Sequence, residues 1–390
     1  MNHHRAATQP RRSPVPAGVL TASGPARRGR NWARRGLTAA LLVLFATLVV
    51  LVPRAISTSW SAVGRTLATV SPLWWGPLTI VWLAGLRAHA SVMTACLPGL
   101  SSRRAMDLNL AGSAVGNTLP LGGAVSFALT TAMIRSWGFA PSAVTSFLLL
   151  SHLFNVLSRL LFGCLATAWL LHTGIGVAVG APLLMVAVGL AVAVLAVGAL
   201  LVSDTVLAWT ADTVTRLEVV LRAWFRRTPR RGADQALAQS LLELRGLVAR
   251  TVRSSWPRLS LGMAGYLVLL AVLLDLCLRG LGAPHSVMLI VAAVGIERLV
   301  TAVPVTPGGA GAAELSLVAC LSAGGVSGAQ ALAAALLYRI FTFFAEIPVG
   351  ATIALTWHLR NAHRRTSPDA GIAEPRRGSS GGNRSAIVQP

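Results

Sequence analysis

Long apolar runs are the feature of this chain that most restricts its fold. A helix needs about 20 apolar residues to cross the hydrocarbon core of a bilayer. Hydrophobic residues make up 54% of the 390 residues and charged residues only 12%, whereas soluble domains carry about 25% charged residues. We therefore predict an all-α polytopic membrane protein, and we exclude a soluble enzyme and a disordered chain. The clearest candidate spans are Leu37–Val52, Leu73–Leu97, Ser142–Leu171, Gly176–Val202, Leu259–Leu278 and Ala329–His358.

Basic residues lie mainly outside the apolar runs, in three blocks. All 34 are arginine, with eight in 1–35, ten in 203–258 and six in 359–390. Such blocks are typical of cytoplasmic loops and tails, so the net charge of +22 indicates a topology rather than a nucleic-acid partner. We expect both termini to be cytoplasmic and 172–176 and 279–284 to lie outside. The absence of lysine, with heavy use of alanine, glycine and arginine, favours a bacterial plasma membrane protein.

The polar blocks also divide the chain into segments. Two amphipathic stretches, Val214–Phe225 and Leu237–Val252, place apolar residues at helical spacing in the central loop. We expect this loop to lie on the anionic leaflet through its arginines. Leu37–Val52 is either an uncleaved first span or a signal peptide, and the long tail before it favours a span. The segments are a disordered basic tail 1–35, a first membrane half 36–202, a cytoplasmic loop 203–258, a second membrane half 259–358 and a disordered tail 359–390.

Two apolar regions are interrupted at their centres by proline and paired glycines. In 108–134 the interruption runs from Asn117 to Gly123, and in 285–322 it runs from Pro304 to Gly311. Proline and glycine do not sustain a straight helix interior. Each region therefore predicts a broken helical hairpin, which is either re-entrant or built from two kinked full spans.

The two membrane halves share one arrangement of features. A shift of 186 residues places Gly122 on Gly308, and the boundaries of the apolar runs also agree. If the arginine blocks are cytoplasmic, the order of the spans makes the first hairpin enter the membrane from the cytoplasm and the second hairpin enter it from outside. We therefore predict about seven full spans plus two broken hairpins in an inverted repeat, an architecture of many secondary transporters.

Six charged side chains inside or beside the apolar spans need an explanation, whereas Arg87 and Asp275 lie near span ends and are expected to extend towards the membrane surface. A charge at the centre of a span costs about 2.5–3.5 kcal/mol on insertion scales, so each charge needs a partner, water or a task. Adjacent residues point about 100° apart on a helix, so we expect Glu297 and Arg298 not to pair. The charges either hold helices together or surround a polar headgroup, and arginine suits phosphate. The six are Arg159, Glu297, Arg298, Glu314, Arg339 and Glu346.

The most specific prediction from the sequence concerns Glu314 and Arg339. We expect both to face one buried cavity with the second hairpin tip, where Arg339 holds an anionic headgroup. Glu314 holds a cationic headgroup or orients Arg339. Nucleotide-binding loops, Ser/His/Asp sets and metal-ligand spacings do not occur in the sequence, so we predict no catalytic, metal or cofactor site. The candidate substrate-binding residues are the six charges together with Asn117, Pro120, Gly122, Gly123, Pro307, Gly308 and Gly309.

Motifs at both hairpins carry a resemblance to a known family. The second hairpin reads Pro304-x-x-Pro307-Gly308-Gly309-Ala310-Gly311-x-x-Glu314, and Arg339 and Pro348-x-Gly350 follow it. The first hairpin reads Asn117-x-x-Pro120-x-Gly122-Gly123. Over roughly 37–358 the chain resembles the lysylphosphatidylglycerol synthase transmembrane region family, which includes the flippase domain of bacterial multiple-peptide-resistance proteins and stand-alone flippase-like proteins.

The resemblance implies a role in lipid handling. Fused members move aminoacylated phosphatidylglycerol to the outer leaflet, and their soluble transferase domain has no counterpart in this sequence, so we expect no synthase activity. Three functions stay open: a lipid flippase, an accessory subunit or scaffold for a lipid-modifying or glycosylating enzyme, and a membrane-embedded transferase. A homo-oligomer also stays open. Many members have Gly-Glu in place of Gly122-Gly123 and Glu-Arg in place of Ser151-His152, which implies a different headgroup at the first half-site.

Overall fold

The computed structural model describes residues 58–119, 122–172, 231–302 and 307–366, together with helical pieces within 185–199. The regular structure in these ranges is helical. Short turns of helix at Pro72–Trp74 and Pro307–Gly309 precede α2 and α8. The helices are α1 (Trp60–Ala68), α2 (Trp75–Cys96), α3 (Ser102–Thr118), α4 (Gly122–Ser136), α5 (Pro141–His172), α6 (Arg231–Gly280), α7 (Val287–Val300), α8 (Ala312–Ala323), α9 (Gly328–Arg339) and α10 (Glu346–Thr366).

Four helical segments among the described residues are long and apolar enough to cross a membrane, so the fold is that of a multi-pass membrane protein. They overlap four of the predicted runs. The predicted span Leu37–Val52 and most of Gly176–Val202 lie outside the described residues, as does the tail 1–35. The count of about seven spans therefore stays a prediction. The four segments are Pro72–Cys96, Pro141–His172, Glu243–Gly280 and Gly328–Ala362.

Helix α6 runs through the predicted boundary between the cytoplasmic loop and the second membrane half. Pro257 lies inside this helix without ending it. Val248 is fully buried and packs in one core cluster with Leu259 and Met263. The apolar face around Val248 therefore packs against protein and extends the span as one helix. The first amphipathic stretch, Val214–Phe225, lies outside the described residues.

Helix α10 extends past the predicted end of the second membrane half at residue 358. It continues to Thr366, so the first residues of the tail predicted to be disordered are helical. The physical reason lies in the sequence, because glycine and proline do not recur after Gly350 until Pro368. These two residues are the strongest helix breakers.

Each predicted hairpin consists of two short helices that pack against each other, α3 with α4 and α7 with α8. The helices contain 17, 15, 14 and 12 residues. At about 1.5 Å per residue they are about 18–26 Å long, less than the hydrocarbon thickness of about 30 Å. These lengths favour the re-entrant interpretation over two full spans in each hairpin.

Helix boundaries in the two halves agree at the shift of 186 residues. Ser102, the first residue of α3, falls on Met288, next to the start of α7. Pro141, the first residue of α5, falls on Ser327, the residue before α9. This agreement supports a structural repeat. The opposite orientation of the two halves in a membrane stays a prediction.

Glycines bring the helices around the first hairpin and α7 into close contact. A Cβ added at Gly295 of α7 would lie 2.3 Å from the Cβ of Ala166 on α5. A Cβ added at Gly350 of α10 would lie 1.9 Å from the carbonyl oxygen of Leu110 on α3. Small residues at such crossings are typical of membrane helix pairs. The crossings bring the polar faces of α3, α5, α7 and α10 to one place.

Candidate functional site

A polar cavity of about 270 Å³ lies among these helices. Most of its lining side chains are polar or charged, although the helices that carry them are largely apolar. The lining comprises His89 of α2; Asn109, Ser113 and Asn117 of α3; Asn155 and Arg159 of α5; Tyr266 of α6; Glu297, Arg298 and Thr301 at the end of α7; Gly308 and Gly309 of the second tip; and Arg339, Thr342 and Glu346 of the last span.

The cavity brings together eight of the residues that the sequence singled out. The others have different positions. Gly122 packs against the backbone of α3, where an added Cβ would lie 2.5 Å from the carbonyl oxygen of Gly116, and Gly123 has no atom within 4 Å of an added Cβ. Pro307 begins the turn of the second tip, and Pro120 lies outside the described residues. The eight lining residues are Asn117, Arg159, Glu297, Arg298, Gly308, Gly309, Arg339 and Glu346.

The second tip requires glycine and contacts the first hairpin. Gly308, Gly309 and Gly311 have φ angles of 59°, 70° and 87°, in the left-handed region that glycine adopts readily. An added Cβ at Gly308 would lie 2.6 Å from Oδ1 of Asn117 and 2.3 Å from the ring of Phe343. The last turn of α3 and the second tip therefore meet at Asn117 and Gly308, and both residues line the cavity.

Arg339 and Glu314 form an ion pair that holds the second tip. Nε of Arg339 donates to Oε1 of Glu314 at 2.7 Å, and Nη2 donates to the carbonyl oxygen of Gly308 at 3.0 Å. The other oxygen of Glu314 accepts from the backbone N–H of Gly311 at 2.6 Å. The Arg339 guanidinium also lies 4.4 Å from the ring centroid of Phe343. Arg339 lines the cavity, whereas Glu314 faces Arg339 and the start of α8 and lies outside the lining.

The expectation that Glu297 and Arg298 do not pair is wrong. Nη2 of Arg298 donates to Oε1 of Glu297 at 2.6 Å, and its Nε donates to Oε2. Glu297 is fully buried and Arg298 is only 7% exposed. Both side chains are long enough to bridge the angle between adjacent positions, and burial removes the water that competes for their hydrogen bonds. This pair neutralises itself at the wall of the cavity.

Arg159 is the arginine in the cavity without a carboxylate partner among the described residues. Its Nη1 donates to the carbonyl oxygen of Thr301 at 3.3 Å. Described carboxylates do not come within 4.0 Å of its guanidinium, in contrast to Arg298 and Arg339. A guanidinium has five N–H donors. Arg159 therefore has donors available for a ligand in the cavity.

Glu346 is the carboxylate in the cavity without an arginine partner among the described residues. It begins α10, one residue after a π-helical turn at Ile340–Phe344 in the last span. It is 9% exposed, and it lies beside Ser113 of α3 and Trp82 of α2. Described arginines do not come within ion-pairing distance of it. The cavity thus contains one cation and one carboxylate without an opposite charge among the described residues.

Several lining residues were absent from the predicted set. Asn109 and Ser113 precede Asn117 by eight and four positions on α3, and Asn155 precedes Arg159 by four on α5. Residues four apart lie on one face of a helix. Polar residues at this spacing within apolar helices are a signal that would have found them. Thr342 also precedes Glu346 by four, so the same signal would have found it. His89, whose Nδ1 lies 3.1 Å from Oδ1 of Asn109, and Tyr266 have no polar lining residue four positions away on their own helices.

The sequence of this chain was compared with models of known protein families and with curated proteins. The model of the lysylphosphatidylglycerol synthase transmembrane region matches residues 36–350. The matched range contains both hairpins, Arg298, Arg339 and every residue that lines the cavity. A search of curated proteins finds no match. The match covers most of the chain, and the chain therefore belongs to the lysylphosphatidylglycerol synthase transmembrane region family.

Proposed function

We propose that this protein binds the headgroup of a membrane lipid in the cavity and moves that lipid between leaflets, as a flippase-like transporter and not as an enzyme. One observation carries the proposal. A polar cavity lies between helices long enough to span a membrane, and its Arg159 has no carboxylate partner among the described residues. The proposed ligand of Arg159 is the phosphate of the lipid, whether a phospholipid or a polyprenyl-linked lipid.

The cost of burying the charge of Arg159 in a membrane helix favours an anionic ligand. An arginine at the centre of a membrane helix costs about 2.5–3.5 kcal/mol on insertion scales. The other two cavity arginines offset this cost with carboxylates, at Glu297 and Glu314. Arg159 offsets only part of it with one backbone carbonyl. An anionic ligand that receives paired hydrogen bonds from the guanidinium would supply the missing partner.

The size of the cavity favours a headgroup as the ligand. A volume of about 270 Å³ lies just below the roughly 300–1,000 Å³ of sites that enclose whole drug-sized ligands. It accommodates a phosphate with a small polar substituent and leaves no room for two acyl chains as well. In this proposal the chains stay in the surrounding bilayer while the headgroup crosses through the polar interior.

Transport by the purified protein separates this proposal from its alternatives. The full chain would be reconstituted into vesicles that contain a trace of phosphatidylglycerol or polyprenyl phosphate with a fluorescent label on its tail. Reduction of the outer-leaflet label by membrane-impermeant dithionite then reports how fast inner-leaflet lipid moves out. We expect faster loss of fluorescence than in protein-free vesicles. Equal rates for both lipids in both preparations would favour an accessory subunit of a lipid-modifying or glycosylating enzyme.

A further inference from the structure

Glu346 differs from the other buried carboxylates in its surroundings. Glu297 pairs with Arg298 and Glu314 pairs with Arg339. Glu346 is buried, lines the same cavity as Arg159, and has no cation within ion-pairing distance among the described residues. An isolated ionised carboxylate is among the most costly groups to bury. Burial without a cation therefore favours a protonated, neutral Glu346.

The groups that face Glu346 do not supply a full positive charge. Arg298 and Arg339 are its nearest cations, and each has its Nε committed to another carboxylate. Ser113 and Trp82 offer a hydroxyl and an indole donor, which stabilise a carboxyl group without neutralising it, whereas the hydroxyl of Thr342 donates to the carbonyl oxygen of Tyr338 at 3.1 Å. The polar, titratable and charged groups on the neighbouring elements are Trp82 and His89 of α2, Ser113 of α3, Arg159 of α5, Tyr266 of α6, Glu297 and Arg298 of α7, Tyr338 and Arg339 of α9, and Thr342 of the π-helical turn.

We propose that Glu346 carries a proton while the cavity is empty and exchanges that proton for the ammonium group of a lipid headgroup whose phosphate binds Arg159. This inference rests on the proposed function and names its substrate class and its coupling ion. In the exchange the O–H bond of the carboxyl group breaks and the proton passes to water in the cavity. The ammonium nitrogen then donates to the carboxylate without a covalent bond. One positive charge replaces another, so the charge around Glu346 is conserved.

Proton exchange has two consequences for transport. When a lipid with both a phosphate and an ammonium group binds, Glu346 releases one proton for each headgroup bound. Lipids with a phosphate alone leave the proton on Glu346. A transmembrane proton gradient would then bias the direction in which amine-bearing lipids move, which supplies an energy source for the transporter.

Infrared difference spectroscopy on the full chain tests the exchange directly, because a protonated carboxyl group has its own C=O absorption. The protein would be reconstituted at neutral pH into phosphatidylglycerol vesicles, which contain no amine. We expect a band from a protonated carboxyl group that is absent from Glu346→Gln. Glutamine has the shape of the neutral acid, so this variant should fold. The exposed Glu243→Gln should keep the band, and Glu346→Asp should keep a shifted one.

Addition of phosphatidylethanolamine, which carries both charged groups, should abolish the wild-type band. A band that persists although the protein translocates phosphatidylethanolamine would overturn the exchange and leave the proposed function in place. A wild-type spectrum without the band, or an unchanged band in Glu346→Gln, would overturn it as well. Failure to translocate any phosphate-bearing lipid would contradict both the proposed function and the exchange.

Discussion

Arg339 and Glu314 lie twenty-five residues apart and are joined by a hydrogen bond of 2.7 Å between Nε and Oε1. The pair connects the last span to the start of α8, and through the carbonyl of Gly308 it also holds the second tip. Its partners saturate each other, so the geometry favours a structural role. From the sequence we expected Arg339 to bind the anionic headgroup. In our proposal Arg159 binds it instead.

Glu314→Gln should destabilise the protein, because it leaves a buried guanidinium without its carboxylate. Loss of one partner of a buried pair costs about 3–5 kcal/mol. The double variant Glu314→Gln with Arg339→Gln should recover part of this loss. Thermal unfolding can be followed with a thiol-reactive dye, since Cys96, Cys277 and Cys320 are buried and become reactive on unfolding. Additive losses in the double variant would argue against a structural pair.

Gly308→Ala should disrupt the contact between the two hairpins. The new methyl group would meet Asn117 and Phe343, and φ at this position is positive. A non-glycine residue in this region costs about 1–3 kcal/mol, and the steric contacts add to that cost. Gly123→Ala is the matched control, because an added Cβ there meets nothing within 4 Å. Equal melting temperatures for the two variants would show that the tip does not need glycine.

Gly295→Ala should separate α5 from α7 and move Arg159 away from Thr301. The added methyl group would lie 2.3 Å from the Cβ of Ala166 and 3.1 Å from the carbonyl oxygen of Phe162. Overpacking of this kind typically costs about 1–3 kcal/mol. We expect both a lower melting temperature and slower lipid transport. Gly265→Ala, at an open position of α6, should change neither, and equal effects at both sites would refute a specific role for the crossing.

Cysteine labelling in intact cells tests the inverted repeat. Arg135 and Ala323 lie in the last turns of the second helices of the two hairpins and are exposed. We expect a cysteine at Ala323 to react with a membrane-impermeant reagent from outside, and a cysteine at Arg135 to react only after the membrane is opened. A cysteine at Leu119, near the first tip, should resist the outside reagent if the hairpin is re-entrant. Labelling of both helix ends from the same side would contradict the repeat.

Much of the fold was predictable because membrane spans are long apolar runs that can be recognised in the sequence. The runs beginning at Leu73 and Ser142 match helices within a few residues at both ends, and the run beginning at Ala329 does so at its start. The boundary at 258/259 was not predictable from polarity alone, since the face around Val248 packs on the protein core and continues the span. The proline at position 257 does not end this helix, which shows tertiary packing outweighing a local helix breaker.

The candidate site was predictable in its charges but not in their pairing. Burial cost identified Arg159 and Glu346 as residues that need an explanation, and both line the cavity. The pairing of Glu297 with Arg298 depends on side-chain rotamers, which a helical wheel does not represent. A helical wheel gives the direction in which a side chain leaves the helix. The positions of the charged groups of arginine and glutamate also depend on the rotamers of their long side chains.

The rate at which vesicles with Arg159→Gln move labelled phosphatidylglycerol shows whether Arg159 binds the phosphate of the transported lipid. A hydrogen bond to a charged group contributes about 1.5–3 kcal/mol, so we expect transport to slow by about tenfold to a hundredfold. Arg135→Gln, which removes an exposed arginine outside the cavity, should transport at the wild-type rate. A wild-type rate in a folded Arg159→Gln protein would contradict the account.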